Sequence, residues 1–114
     1  MYTKLLIFQK TYDFTLWFYP IINRIPKSHR LVLGRQMEEL MLTLLILIIK
    51  ANKARDHKRL EIQRQISDEI DCLRILIRLT KDLRFMSITQ YQHAVKKLNE
   101  IGKMLYGWTN TSKS

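Results

Sequence analysis

Residues 40–55 read LMLTLLILIIKANKAR, and this stretch decides the fold. From Leu40 to Ile49 only Thr43 is polar, and basic residues follow at once. A bilayer span needs roughly 18 or more apolar residues, whereas this run has ten and is preceded by the acidic pair of RQMEEL. The run therefore indicates a helix that is buried in protein and not a membrane span.

The totals of the chain limit what it can be. It has 114 residues, is 46% hydrophobic and carries a formal charge of +10, which suits one domain with a real core. The basic excess points to a polyanionic or acidic partner. A single cysteine, Cys72, excludes an intramolecular disulfide and fits a reducing compartment, so we expect a cytoplasmic protein. We expect no signal peptide, because Lys10 and Asp13 interrupt the first apolar residues.

Helical periodicity and the scarcity of glycine and proline predict an all-α fold. We expect helices over about residues 3–25, 29–53 and 56–84, with Ser28 and Asp56 as N-caps. The fourth helix should start at the capping box Ser87–Gln90 and end at Gly107. Short connections predict an up-down antiparallel four-helix bundle over residues 1–109, followed by a disordered tail over 110–114.

The second and third helices carry more apolar surface than one bundle can bury. A helix that is apolar on all sides must be buried on all sides, whereas each helix of a lone bundle shows one face to water. We therefore predict a homo-oligomer. Separately, Cys72 lies beside the apolar arc of the third helix, and we expect it to be a small buried residue. The alternative is a monomer with an apolar groove for a partner helix. The predicted oligomer interface comprises Leu42, Leu45, Ile46, Ile48, Ile49, Ile75 and Leu79.

Motifs of catalysis are missing from the sequence. It has no glycine-rich phosphate loop, no His-Glu-x-x-His and no paired cysteine ligands. The three histidines fall in different helices, and the acidic cluster around Asp68 and Asp71 is better explained as a solvated face with nearby arginines. We predict a protein that is not an enzyme, has no catalytic residue, and needs no metal, cofactor or small-molecule substrate.

Basic residues are the stronger functional signal. Arg74, Arg78 and Lys81 are spaced i, i+4, i+7 and so form one stripe, which Arg84 extends. In an antiparallel bundle the first and third turns share one end, so Lys81 and Arg84 should lie near the cations of the first turn. Such cations can neutralise successive phosphates without sequence specificity, although a merely solubilising surface is the alternative. The further candidates are Arg24, Lys27, Arg30 and Arg35 around the first turn, and Lys50 and Arg55 around the second.

Three segments within residues 12–108 carry a family resemblance: YDFTLWFYPIINRIPKSHRLVLGRQMEE, LLILIIKANKAR and LRILIRLTKDLRFMSITQYQHAVKKLNEIGKMLYGW. They resemble the accessory variability determinant family of diversity-generating retroelements. The most specific parts are FYP from Phe18, PKS from Pro26, the pair Leu33-Gly34, RLTKDLR and the LNEIG…GW ending. We identify no residue-by-residue contact motif, so only the role of a basic surface is carried over to this chain.

The resemblance implies a four-helix bundle that assembles into a pentameric barrel without a catalytic site. It implies two partners, the reverse transcriptase of the retroelement and the template-repeat RNA, with DNA as a further nucleic acid. Together they make mutagenic cDNA. An alternative is the similar S23-type group of four-helix bundles, an RNA- or protein-binding module of less defined role. A membrane-surface amphipathic protein is disfavoured, because its apolar arcs are needed for packing.

Overall fold

The computed structural model describes residues 5–113, with the side chains of residues 5–111. Within that part the chain is all helical and forms a bundle about 45 Å long and 23 Å across. The predicted all-α fold with four helical rods is confirmed there, while the expected start of the first helix at Thr3 lies outside the described residues. The elements are α1 (Leu6–Ile22), α2 (Lys27–His29), a π-helical turn (Arg30–Gly34), α3 (Arg35–Lys53), α4 (Asp56–Asp82) and α5 (Ile88–Lys113).

Four rods surround one apolar core, because α2, the π-turn and α3 form a single continuous rod. α3 packs on α1 and α4, and α5 packs on the same two helices. α3 and α5 therefore occupy opposite corners of the bundle. Each helical turn contributes one or two residues to the core. Its largest fully buried side chains are Phe18, Ile22, Ile25, Met37, Met41, Leu44, Ile48, Ile66, Ile70, Leu73, Ile77 and Leu98.

The apolar run of α3 divides into an inner and an outer face. Leu44 and Ile48 lie in the core, whereas Leu42 and Ile46 are exposed. Ile48 is 0% exposed, so the prediction that it belongs to an oligomer interface is wrong, because its side chain is already buried within its own chain. The expected burial of Cys72 is wrong too, since its thiol side chain is exposed on α4.

The entry into α3 differs from the expectation. The helical rod begins at Lys27 after Pro26, so Ser28 lies inside the helix and is not its N-cap. A π-turn follows, in which the N–H of Arg35 donates to the carbonyl of Arg30, five residues earlier. Gly34 allows this turn to touch α1, because a Cβ there would lie 3.1 Å from Ile22 Cγ2. The sequence pattern gave no sign of the extra residue in this turn.

α1 and α4 begin or end slightly inside the expected limits. α1 ends at Ile22 and includes Pro20, whose missing N–H removes only one bond in its last two turns. Arg55, and not Asp56, is the N-cap of α4. Asp56 is the first helical residue, with a left-handed φ of 51°. The helix ends at Asp82, two residues before the expected end.

A Schellman motif closes α4. The N–H of Phe85 donates to the carbonyl of Thr80 (3.0 Å), and that of Arg84 donates to the carbonyl of Lys81 (2.9 Å). This pair of bonds requires a left-handed residue, and Arg84 has a φ of 67°. Glycine is the usual residue at such a position because a side chain is strained there. The chain therefore has an arginine at a backbone position where a side chain is strained.

The start of α5 agrees with the sequence, and its end does not. The predicted capping box is confirmed, since the N–H of Ser87 donates to Gln90 Oε1 and the N–H of Gln90 donates to Ser87 Oγ, both at 3.0 Å. The predicted C-cap at Gly107 is wrong, because the helix continues to Lys113. Helix thus extends over residues 110–113, where the sequence predicted a tail, and Ser114 lies outside the described residues.

Candidate nucleic-acid interface

A row of cations follows the line where α4 meets α5. Arg74 donates across this line to Asn99, and Lys81 Nζ lies 4.7 Å from the ring centre of Tyr91. Both contacts show that Arg74 and Lys81 of the predicted stripe face α5. We call the cations on and beside this line the basic seam; they are Arg64, Arg74, Arg78 and Lys81 of α4, and Lys96 and Lys103 of α5.

Arg74 is the most tightly held member of the basic seam. Its Nη1 donates to Asp71 at 2.9 Å and its Nη2 donates to Asn99 at 3.2 Å. Its Nε is buried, with no hydrogen-bond acceptor among the described residues. Gly102 makes room for this guanidinium, since a Cβ at that position would lie 3.1 Å from Nη2. Arg74 therefore fixes the spacing of the two helices as well as supplying charge.

Asp82 offsets part of the positive charge at the C-terminal end of α4. Lys81 Nζ lies 2.8 Å from Asp82 Oδ1, and Arg78 Nε lies 3.8 Å from Oδ2. The hydrogen bond from Lys81, together with the positive charges of Lys81 and Arg78, holds the pKa of Asp82 below its usual value. The Asp82 carboxylate therefore stays anionic to a lower pH than an ordinary aspartate. Arg78 remains largely exposed, so it is the more available of the two cations.

The first and third turns meet at one end of the bundle. The rings of His29 and Phe85 lie 4.6 Å apart, which brings the predicted cations of these turns to the same end. Arg24, Lys27 and Arg84 are exposed there. Arg30 is instead used to order the turn, because its Nη1 donates to the carbonyl of Asn23 at 2.8 Å.

The remaining predicted cations do not join the basic seam. Arg35 and Lys50 are exposed on the outer side of α3, at its two ends. Arg55 is exposed at the turn before α4, at the end of the bundle opposite to Arg84. These three residues could contact a long polyanion only outside the seam. The sequence reasoning missed Arg64 of α4 and Lys103 of α5, which line one groove because of how the two helices pack.

A wide apolar surface is centred on α3, the helix that lies away from α5. Ile46 is 52% exposed, and Leu45 and Ile49 beside it are half-buried. The neighbouring helices α1 and α4 add exposed apolar side chains on either side of α3. We call this surface the apolar face, and its exposed members are Tyr12, Leu16, Tyr19, Leu42, Ile46, Ile75, Leu79 and Leu83. Six of the seven predicted interface residues thus remain at least partly accessible on the single chain.

Metal and membrane sites receive no support in the described part of the chain. No three His, Cys, Asp or Glu side chains there come close enough to hold a metal ion. None of the helices described combines the length and apolar character that are needed to cross a bilayer.

Comparison with known proteins adds one finding. A family model described as bAvd-like matches residues 5–112, which is almost the whole chain. A search of curated proteins found no match to the chain.

Proposed function

The chain belongs to the bAvd-like family, and from this premise we propose that it is the non-enzymatic accessory factor of a diversity-generating retroelement. In this role it binds the reverse transcriptase and the template-repeat RNA and supports mutagenic cDNA synthesis in the cytoplasm. The family match over residues 5–112 is the observation that carries the proposal. An accessory protein of this kind acts by bringing its partners together and needs no reactive side chain.

The charge distribution supports the RNA-binding part of the proposal. The six cations of the basic seam outnumber the carboxylates Asp71, Asp82 and Glu100, which lie beside them. The exposed cations of the adjoining turns, Arg24, Lys27 and Arg84, continue this surface at one end. Cations distributed along a helix pair fit a phosphate chain better than a single anion, and they carry no sequence preference of their own.

The apolar face supports the oligomer. Exposed apolar patches that span several helices usually mark interfaces, and this one is centred on α3, away from α5. We propose that copies of the chain associate through the apolar face and leave the basic seam outside. The subunit number of five follows from the family resemblance alone. Light scattering should then give about five times 13.8 kDa, and a stable monomer would exclude this association.

Reconstitution with the partners tests the function. The chain is co-expressed with the reverse transcriptase of its retroelement, and the complex is purified and supplied with template-repeat RNA. We expect co-purification of the enzyme and cDNA synthesis that depends on the chain. Failure to retain either partner at moderate salt would refute the proposal. Retention of RNA without the enzyme would favour the S23-like alternative.

A charge-matched pair of variants links this activity to the surface. Arg78→Gln with Arg84→Gln removes two exposed cations from the proposed contact surface. Lys53→Gln with Lys58→Gln removes two exposed cations at the opposite end, so the net charge changes equally. We expect the first pair to reduce cDNA synthesis and RNA affinity and the second to change them little. Equal losses in both pairs would mean that net charge, and not this surface, determines binding.

A further inference from the structure

A groove of about 680 Å³ lies between α4 and α5 within the basic seam. Its volume is in the range of pockets that bind small organic groups. Ile70 and Leu105, both buried, give it an apolar floor, and Ser67 and Asn99 add polar side chains to its walls. A purely electrostatic contact with phosphates needs no such depth. The groove therefore suits a ligand that inserts an uncharged group.

α5 has a small residue where it crosses Arg74. Gly102 lines the groove, and its lack of a side chain leaves the space that Arg74 and a ligand share. The hydrogen bonds of Arg74 to Asp71 and Asn99 hold the guanidinium in one position across the two helices. The groove is thus set by the packing of regular helices and does not depend on a loop.

The rim of the groove combines positive charge with an exposed aromatic ring. Arg64 and Lys103 are exposed on its two sides, and Tyr106 next to them is 71% exposed. A ring that is so exposed on a helix contributes little to the core and is available for stacking. Cations for phosphate, an aromatic ring for stacking and amide or hydroxyl groups for hydrogen bonds are together the features that recognise a nucleotide.

We propose that the groove between α4 and α5 binds one unstacked nucleotide of a single-stranded RNA. Tyr106 stacks on the base at the apolar groove, while Arg64 and Lys103 contact the flanking phosphates. This inference rests on the proposed function, because it names the form of RNA that the basic seam binds. A duplex keeps its bases stacked and paired and cannot fill the groove, so the chain prefers single strands.

The position of the groove leaves it open in an assembly. α5 lies at the corner opposite α3, and α3 is the centre of the apolar face. Association through the apolar face therefore does not cover Tyr106 or Lys103. Each copy contributes a complete groove, since every lining residue comes from one chain.

Fluorescence anisotropy with matched probes tests the proposal. The probes are a labelled oligouridylate, an abasic ribose-phosphate chain of the same length and an RNA duplex of the same length, at one salt concentration. We expect the oligouridylate to bind at least about 5-fold more tightly than the abasic chain, since stacking of one base on an aromatic side chain has this effect. Free uridine monophosphate in competition shows whether the groove also takes an isolated nucleotide.

Variants of the groove should remove this preference without unfolding the chain. Tyr106→Ala removes the ring, and Ser67→Phe fills the groove from an exposed position. Both should bring oligouridylate affinity down to that of the abasic chain and leave duplex binding unchanged. Ile88→Ala is the control, because Ile88 is 67% exposed on the same helix, about five turns away.

The outcomes separate this inference from the proposed function. Equal binding of all three probes, unaffected by Tyr106→Ala, would refute the proposal that the groove binds a nucleotide and would leave the proposed function intact. Absence of RNA binding with or without the enzyme would overturn both. If Tyr106→Ala and Ser67→Phe weaken binding of the reverse transcriptase but not of RNA, the groove receives protein and the proposal is wrong.

Discussion

Arg59 ties the start of α4 to the end of α3 through the carbonyl oxygen of Ala51, which lies 3.0 Å from its Nε. The same guanidinium donates to the carbonyls of Ala54 and Asn52, each at 3.1 Å. These are carbonyls of the last turn of α3 and its C-cap, where a positive charge also interacts favourably with the helix dipole. The Arg59 side chain, from the next helix, thus satisfies the free carbonyls at the C-terminal end of α3.

Arg59→Ala should lower the free energy of unfolding by about 1–2 kcal/mol, because it removes charge-assisted bonds to carbonyls that are partly shielded from water. Urea denaturation followed by circular dichroism measures the loss. Lys58→Ala is the control, since the Lys58 side chain is highly exposed and its ion pair with Glu61 is long, at 4.0 Å. An equal effect of both substitutions would mean that the cap contributes nothing of its own.

Arg84→Gly should stabilise the fold and weaken RNA binding at the same time. Relief of the left-handed strain at the end of α4 should add about 0.5–1 kcal/mol to the free energy of unfolding. Loss of an exposed cation beside the basic seam should reduce the affinity for RNA. Denaturation and anisotropy on the same sample test both effects. Higher stability with unchanged RNA affinity would show that Arg84 is not kept for binding.

Ile46→Glu and Ile48→Glu should have opposite consequences, although the residues are two positions apart. Ile46 is exposed on the apolar face, so Ile46→Glu should leave a folded chain with the mass of a monomer. Ile48 is fully buried, so Ile48→Glu places an unpaired charge in the core and should unfold the chain. Light scattering and circular dichroism distinguish the two. An unchanged mass for Ile46→Glu would exclude the apolar face as the interface.

Asp82→Asn should strengthen RNA binding. The carboxylate, anionic at neutral pH, engages Lys81 and attracts Arg78. Its removal makes these cations available to phosphate, and the slope of log affinity against log salt should steepen by up to about 0.7 for each new contact with a single strand. Salt titrations by anisotropy measure this slope. A weaker affinity would indicate that Asp82 orients the two cations for binding.

Local hydrogen-bond patterns were the part of the fold that the sequence predicted best. The capping box of Ser87 and Gln90 involves residues three positions apart, so the pattern itself contains the geometry. The prediction that the helix ends at Gly107 was wrong because a glycine within a helix lowers its stability by only about 1 kcal/mol. Tertiary packing offsets such a cost, and Leu105 and Trp108 on either side of Gly107 both pack on the core.

Faces and seams were harder to predict because they depend on how the helices are rotated and aligned. An almost continuous apolar run does not reveal which residues point inward, and this is why Ile48 was assigned to the wrong side. The stripe of Arg74, Arg78 and Lys81 could be predicted, since it follows from spacing along one helix. The presence of Arg64 and Lys103 in one groove could not be predicted, because it requires the register of α4 against α5.

Because α3 and α5 occupy opposite corners of the bundle, assembly through α3 affects how long an RNA stays bound. In an assembly closed through α3, every basic seam faces outward, and one flexible strand can occupy several seams in succession. After the first seam binds, the next meets a tethered strand at an effective concentration that reaches the millimolar range for short flexible links. A long RNA is then retained far longer than a short one of the same sequence. Such an assembly selects its RNA by length.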